Sequence, residues 1–167
     1  INENDREKIP PTLSKLTGSL LEIKFTPHKS SHKKLIPTLE MFPNKIIVTC
    51  DDDLIYEKKW LEKLYETHLK FPKDIICNKA RRIGLYNQNE LLDYSQWKYN
   101  TENDFRKNLA IGEGGILYPP DSLYNVVTDY ELALELTPNA DDLWFKAMAL
   151  LNNTNVRLAE NPSKVFI

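Results

Sequence analysis

Twice the chain leaves a helix through Phe-Pro and enters an apolar strand three residues later, at Phe42-Pro43-Asn44-Lys45-Ile46-Ile47 and at Phe71-Pro72-Lys73-Asp74-Ile75-Ile76. Proline lacks the N–H that a helix interior needs, so it closes the helix. The branched isoleucines that follow suit a packed, extended backbone. Between the two exits, Trp60, Leu61, Leu64, Tyr65 and Leu69 recur at helical spacing in "KKWLEKLYETHLKFP". Continuous apolar strands separated by amphipathic helices are covered on both faces. The pattern predicts an α/β fold with a mostly parallel sheet flanked by helices.

The rest of the chain extends this frame. "PPTLSKL" predicts a short helix that Gly18 ends, and "SLLEIKF" a strand. "SSHKKLIPTLEMFP" is helical, its firm part following Ile36 because of Pro37. "RRIGLY" predicts a short strand, residues 87–108 a long mobile loop, and "NLAIGEGGILYPP" a strand-loop-strand. "SLYNVVTDYELALEL" and "DDLWFKAMALLNN" are helical, and "NVRLAE" is a last strand. With no linker or low-complexity run, residues 1–167 are expected to form one domain. The balance of 22 basic to 24 acidic residues offers no electrostatic case for nucleic acid or an acidic membrane as the main partner. No apolar run is long enough to span a bilayer, and "INENDREKIPP" is too polar for a signal peptide. Cys50 and Cys77 lie in apolar runs and read as buried, reduced thiols of a cytoplasmic protein.

Chemistry concentrates in "IIVTCDDDLIY", where a buried strand runs into Asp51, Asp52 and Asp53. Adjacent carboxylates repel, so something positive must relieve them. Ligands of open α/β sheets bind beyond the carboxyl ends of strands, which is where this triplet sits. If the backbone stays extended, Asp51 and Asp53 share a side and Asp52 points away. Two carboxylates suit Mg²⁺ or Mn²⁺ shared with a substrate diphosphate; the alternative is a solvated acidic turn. In "NADD", Asn139 can cap the next helix with Asp142 closing a capping box, or Asp141 or Asp142 can serve as a general base. Gly112, Gly114 and Gly115 in "GEGG" allow close backbone approach to a ligand, or simply a tight turn. Trp97 and Tyr99 either stack on a sugar ring or anchor their loop. The three histidines are poorly spaced for zinc.

Taken in order, "KKLIPTLEMFPNKIIVTCDDDLIYEKKWLEKLY", "IGEGGILYPP" and "NADDLWFKAMALL" resemble bacterial family-two-like glycosyltransferases of the GT-A type, over about Ser30 to Asn153. The resemblance implies that the triplet is a DXD-type motif holding Mn²⁺ or Mg²⁺ on the diphosphate of a nucleotide-sugar. Asp53 would be the direct ligand, and Asp51 would lie near the ribose or a metal-bound water. It implies that Gly112 to Gly115 floor the donor and acceptor pocket, that Asp141 or Asp142 is the base with Trp144 packed beside it, and that Lys33 and Lys34 face the nucleotide. The implied partners are a nucleotide-sugar donor and a glycan or lipid-linked acceptor, in surface polysaccharide or lipopolysaccharide synthesis. The implied place is the cytoplasm or the inner membrane face. Such proteins begin with a βα unit of about 40 residues that reads the nucleotide base. Residues 1–25 look like the helix and strand that follow it, so the domain is expected to be N-terminally truncated. A sheet lacking that strand exposes an edge that invites a second copy, so a homodimer is expected.

Two other readings compete. "IIVTCDDDLI" also resembles the nucleophile motif of haloacid-dehalogenase-type phosphatases, with Asp51 attacking and Asp53 as acid and base. A chain without the base-reading unit can also be a non-catalytic nucleotide- or sugar-binding remnant.

Overall fold

The computed structural model describes residues 1–18, 20–99 and 104–166. Helix α1 (Pro11–Ser14) precedes an extended stretch, a 3-10 turn at Ser31–Lys34 and helix α2 (Ile36–Met41). Strand β1 (Ile47–Thr49), strand β2 (Ile55–Tyr56), helix α3 (Trp60–Lys70) and strand β3 (Ile75–Cys77) follow. Next come β4 (Ala80–Arg82), β5 (Leu85–Asn87), β6 (Glu90–Leu91), β7 (Lys98–Tyr99) and β8 (Asn108–Ala110). A 3-10 turn at Gly112–Gly114 leads into β9 (Ile116–Tyr118). Helices α4 (Tyr130–Leu136) and α5 (Asp141–Leu151), then β10 (Val156–Leu158) and β11 (Val165–Phe166), complete the chain.

The central sheet has the order β1-β9-β3-β10 and is mixed, which corrects the mostly parallel expectation. β10 runs parallel to β3, but β9 lies between β1 and β3 and is antiparallel to both. The reason is topological. A parallel neighbour needs a crossover, usually a helix, and between β3 and β9 the described residues contain no α-helix. The chain instead runs out through β4 and returns through β8. It re-enters beside the end of β3, pairing Cys77 with Ile116.

Both faces of the sheet are covered, as expected. Val48, Leu117 and Ile76 stand in one cross-strand row and meet α3 through Leu64, Trp60 and Phe71. Their neighbours Ile47, Ile116, Tyr118, Ile75 and Cys77 project to the opposite face, against Trp144, Phe145 and Met148 of α5.

Three local expectations are corrected. "SLLEIKF" forms no ladder over its described residues; the Ile1 ammonium donates to the Lys24 carbonyl (2.9 Å), Arg6 lies over the Phe25 ring, and an isolated bridge pairs the next residue, Thr26, with Asn2. The expected loop at 87–108 carries β6, β7 and the start of β8, with β4, β7 and β8 forming a second sheet; residues 100–103 lie outside the described residues. Cys50 is exposed, since β1 ends at Thr49, while Cys77 is fully buried. Among the described residues no helix is long and apolar enough to cross a membrane.

Candidate functional site

At the carboxyl end of β1 the backbone turns at once, so Asp52 and Asp53 lie in a turn, both exposed, while Asp51 is half-buried. β2 follows, pinned by antiparallel pairing with β11. This places Tyr56, whose hydroxyl accepts from the Asp51 N–H (2.8 Å) and donates to the Glu113 carbonyl (3.0 Å). One phenol thus ties the triplet to the glycine turn.

The relief of the crowded charge begins with Lys34. Its Nζ donates to Asp51 Oδ1 at 2.7 Å and lies 3.7 Å from Asp141 Oδ2. The 3-10 turn that carries it is held from beneath by His32, which is fully buried. The His32 imidazole is hydrogen-bonded to Ser30 Oγ (2.9 Å) and Thr137 Oγ1 (3.2 Å). Burial alone would favour a neutral Lys34. The hydrogen bond to Asp51 and the charges of Asp141, Asp51 and Asp142 outweigh it and hold the ammonium above its usual pKa.

α5 supplies the other side. Asn139 does not cap it: the N-cap position is Ala140, with no side-chain capping bond. Asp141 and Asp142 open the first turn. Asp142 accepts the Gly112 N–H on both oxygens, at 3.1 and 3.2 Å. A Cβ on Gly112 would lie 3.1 Å from Asp142 Oδ1 and 3.2 Å from Lys34 Nζ, so a bare backbone is what lets these groups close together. Burial, then the Asp141 charge, push the Asp142 carboxyl up to about 7; the Gly112 N–H and Lys34 pull the other way.

Of the residues singled out in the sequence, Lys34, Asp51, Asp141, Asp142 and Gly112 therefore converge. Lys33, Lys34, Asp51, Asp52 and Asp53 line one cleft of about 660 Å³. A second cleft, of about 820 Å³, shares the two lysines and extends between residues 21–28 and α2. Gly114 and Gly115 serve packing: a Cβ on Gly114 would lie 2.7 Å from Lys79 Cβ, and one on Gly115 (φ 83°) 2.6 Å from the Trp60 ring. Trp144 is buried and donates its indole N–H to the Val127 carbonyl (2.9 Å), so it fixes α5 from the core side. Trp97 is likewise an anchor, donating to the Leu92 carbonyl, whereas Tyr99 is half-exposed.

A residue the motif reading passed over is Lys146, one turn after Asp142 in the otherwise apolar "LWFKAMALL". It is 5% exposed, and its Nζ has no hydrogen-bond partner among the described residues. It lines a small cavity with Asp142, Tyr118 and Phe145. Burial, then the Arg106 charge, lower its pKa to about 8. An unfolded lysine binds its proton more tightly than this, so stability rises with pH between about 8 and the ordinary lysine value and carries the full penalty below. Lys146→Met is expected to raise stability by ~1–3 kcal/mol at neutral pH and to remove that slope, as read by denaturant melts across pH.

Asp51, Asp52 and Asp53 share their cleft with Asp5 and with Lys8, Lys33 and Lys34, and among the described residues only Lys34 ion-pairs with the triplet or with Asp141, so Asp52 and Asp53 are left without a cationic partner there. Among the described residues no three His, Cys, Asp or Glu side chains group as metal ligands. Two carboxylates on one cleft fit a hard cation that keeps waters and completes its shell from a substrate diphosphate, not one caged by protein.

The profile of glycosyl transferase family 2 matches residues 38–128, more than half of the chain, including the triplet and the glycine turn. Lys34, Asp141 and Asp142 lie outside that stretch. No curated protein and no solved structure matches the chain. Such a domain implies a nucleotide-sugar donor and an acceptor, and enzymes of this family commonly use divalent metals. With an α/β domain, an acidic cluster beyond a strand end and this profile match, the chain belongs to glycosyl transferase family 2.

Proposed function

We propose that the protein transfers a sugar from a nucleoside-diphosphate-sugar to an acceptor hydroxyl, with Asp51 and Asp53 as a DXD-type pair and Asp142 as the general base. The observation that carries this is the Lys34 ammonium, set between Asp51 (2.7 Å) and Asp141 (3.7 Å) while Gly112 holds Asp142. Three motifs far apart in the chain thereby meet at one point.

Asp51 and Asp53 would hold Mn²⁺ or Mg²⁺, which supplies a Lewis acid for the charge growing on the leaving diphosphate. Lys33 and Lys34 face the same cleft and meet phosphate charge from the protein side. The acceptor oxygen forms its bond to the anomeric carbon as the bond from that carbon to the diphosphate oxygen breaks. The hydroxyl proton passes to Asp142. A carboxylate with a pKa near 7 takes that proton more readily than an ordinary one. Asp141, engaged by Lys34, stays in place as its orienting neighbour. The acceptor is a glycan or a lipid-linked glycan: the half-exposed rings of Tyr94 and Tyr99, both backed by Arg81, offer a sugar a stacking surface. Lys79, ion-paired with Glu113 and lying over the Tyr99 ring, connects that surface to the glycine turn.

Incubation with a panel of nucleotide-sugars and Mn²⁺ tests the proposal through release of nucleoside diphosphate. Release that stops on chelation is expected. Release of phosphate from simple monoesters in its place would favour the phosphatase reading.

A further inference from the structure

The overall charge of −2 hides a segregation. Residues 79–108 carry six basic and four acidic side chains, so the arm built by β4 to β8 is positive in a chain that is otherwise negative. The antiparallel register sets Arg82 directly opposite Lys98. Like charges so placed weaken a sheet. Both line a shallow cleft of about 280 Å³ with Lys107, Leu85 and Leu92. Asp104 partners Lys107 (3.0 Å) and, more loosely, Arg82 (3.8 Å); Lys98 has no ion-pair partner among the described residues. Glu90 and Asp93 are engaged locally, with Asn87 and Ser95.

Beside this cleft the β5–β6 hairpin pairs Leu85 with Leu91, 38% and 63% exposed, and Tyr86 next to them is 78% exposed. A hairpin that presents paired leucines and a tyrosine to solvent gains nothing from burial in the fold as it stands. Leu85 lines the cleft beside the cations, and Leu91 and Tyr86 extend the exposed apolar surface from it. Cations bordering exposed apolar side chains match a bilayer surface, where anionic headgroups adjoin acyl chains. An acidic protein would match the cations but leave the leucines unmatched.

We propose that this face of the arm docks on an anionic lipid surface, with Leu85, Leu91 and Tyr86 entering the headgroup boundary and Arg82, Lys98 and Lys107 meeting lipid phosphates. The proposal does not rest on the transferase reading, since docking needs neither nucleotide nor metal. The full chain is floated with vesicles of phosphatidylcholine alone, or of phosphatidylcholine mixed with an equal part of phosphatidylglycerol. Binding is expected only to the mixed vesicles. It should weaken about fivefold for each of Arg82→Gln and Lys98→Gln. Leu85→Ser with Leu91→Ser, at exposed positions, should weaken it roughly tenfold or more with an unchanged circular dichroism spectrum. Equal binding to both vesicles, no binding to either, or binding indifferent to the leucine pair would overturn the proposal. So would release of bound protein by soluble glycerol phosphate at constant ionic strength, which would make the cleft a site for a free anion.

Discussion

Asp142→Asn will cut sugar transfer by ~10²–10⁴-fold while leaving the protein more stable, not less. Both effects have one cause. Burial and the neighbouring Asp141 hold the Asp142 pKa at about 7, well above the 3.8 of an ordinary aspartate. The folded state therefore keeps a proton that the unfolded chain gives up between those values, and stability falls as pH rises across that window. Asparagine stays neutral at every pH and still accepts the Gly112 N–H. The gain should be ~1–3 kcal/mol above pH ~8 and vanish toward pH ~4. The wild-type rate should climb with pH through about 7, and the residual rate of the variant should not. Loss of activity with loss of stability would instead make Asp142 a structural cap.

The second large effect is expected at Lys34. Lys34→Met leaves Asp51 and Asp141 facing each other without their shared cation, in a setting where both partners are mostly shielded from water. Removing one partner of such a pair should cost ~2 kcal/mol, which for a chain of this size lowers the melting temperature by ~4–8 °C. Because the ammonium is held charged above its usual range, the difference should persist through neutral pH and fade in strong alkali. Millimolar Mn²⁺ should restore part of the lost stability in the variant, by replacing a cation that the cluster needs. An unchanged melting temperature would mean that the contact contributes nothing.

How far the fold could be read in advance follows from particular stretches. The Phe-Pro exits marked both helix ends and both strands, because proline and isoleucine each act through their own backbone chemistry. The direction of β9 was hidden. "IIC" and "ILY" are apolar throughout because both faces are covered, and such runs read alike in parallel and antiparallel ladders. A signal was present in what lies between them: residues 79–115 show no amphipathic helix to serve as a crossover.

The site was legible in its members and not in its connections. The triplet and the Lys-Lys pair stood out, yet only the fold reveals that one lysine links two carboxylate motifs. By itself "NADD" reads first as a helix cap, and the resemblance is what suggests a base there. The fold shows that Ala140 stands at the N-cap with no side-chain cap and that Asp142 instead accepts the Gly112 N–H at 3.1 Å, and a contact across thirty residues leaves no local trace. Lys146 had a plain signal, a lone charge inside a buried helix, which the motif reading passed over.

The claim that the triplet is completed by a divalent cation and a diphosphate is tested most directly by calorimetric titration of nucleoside diphosphates with and without Mn²⁺, in the wild type and in Asp53→Ala. Asp53 is exposed, so the substitution should leave the fold intact. The account predicts binding that requires Mn²⁺ in the wild type and disappears in the variant. Binding of equal strength without the metal, or unaffected by the substitution, would contradict it.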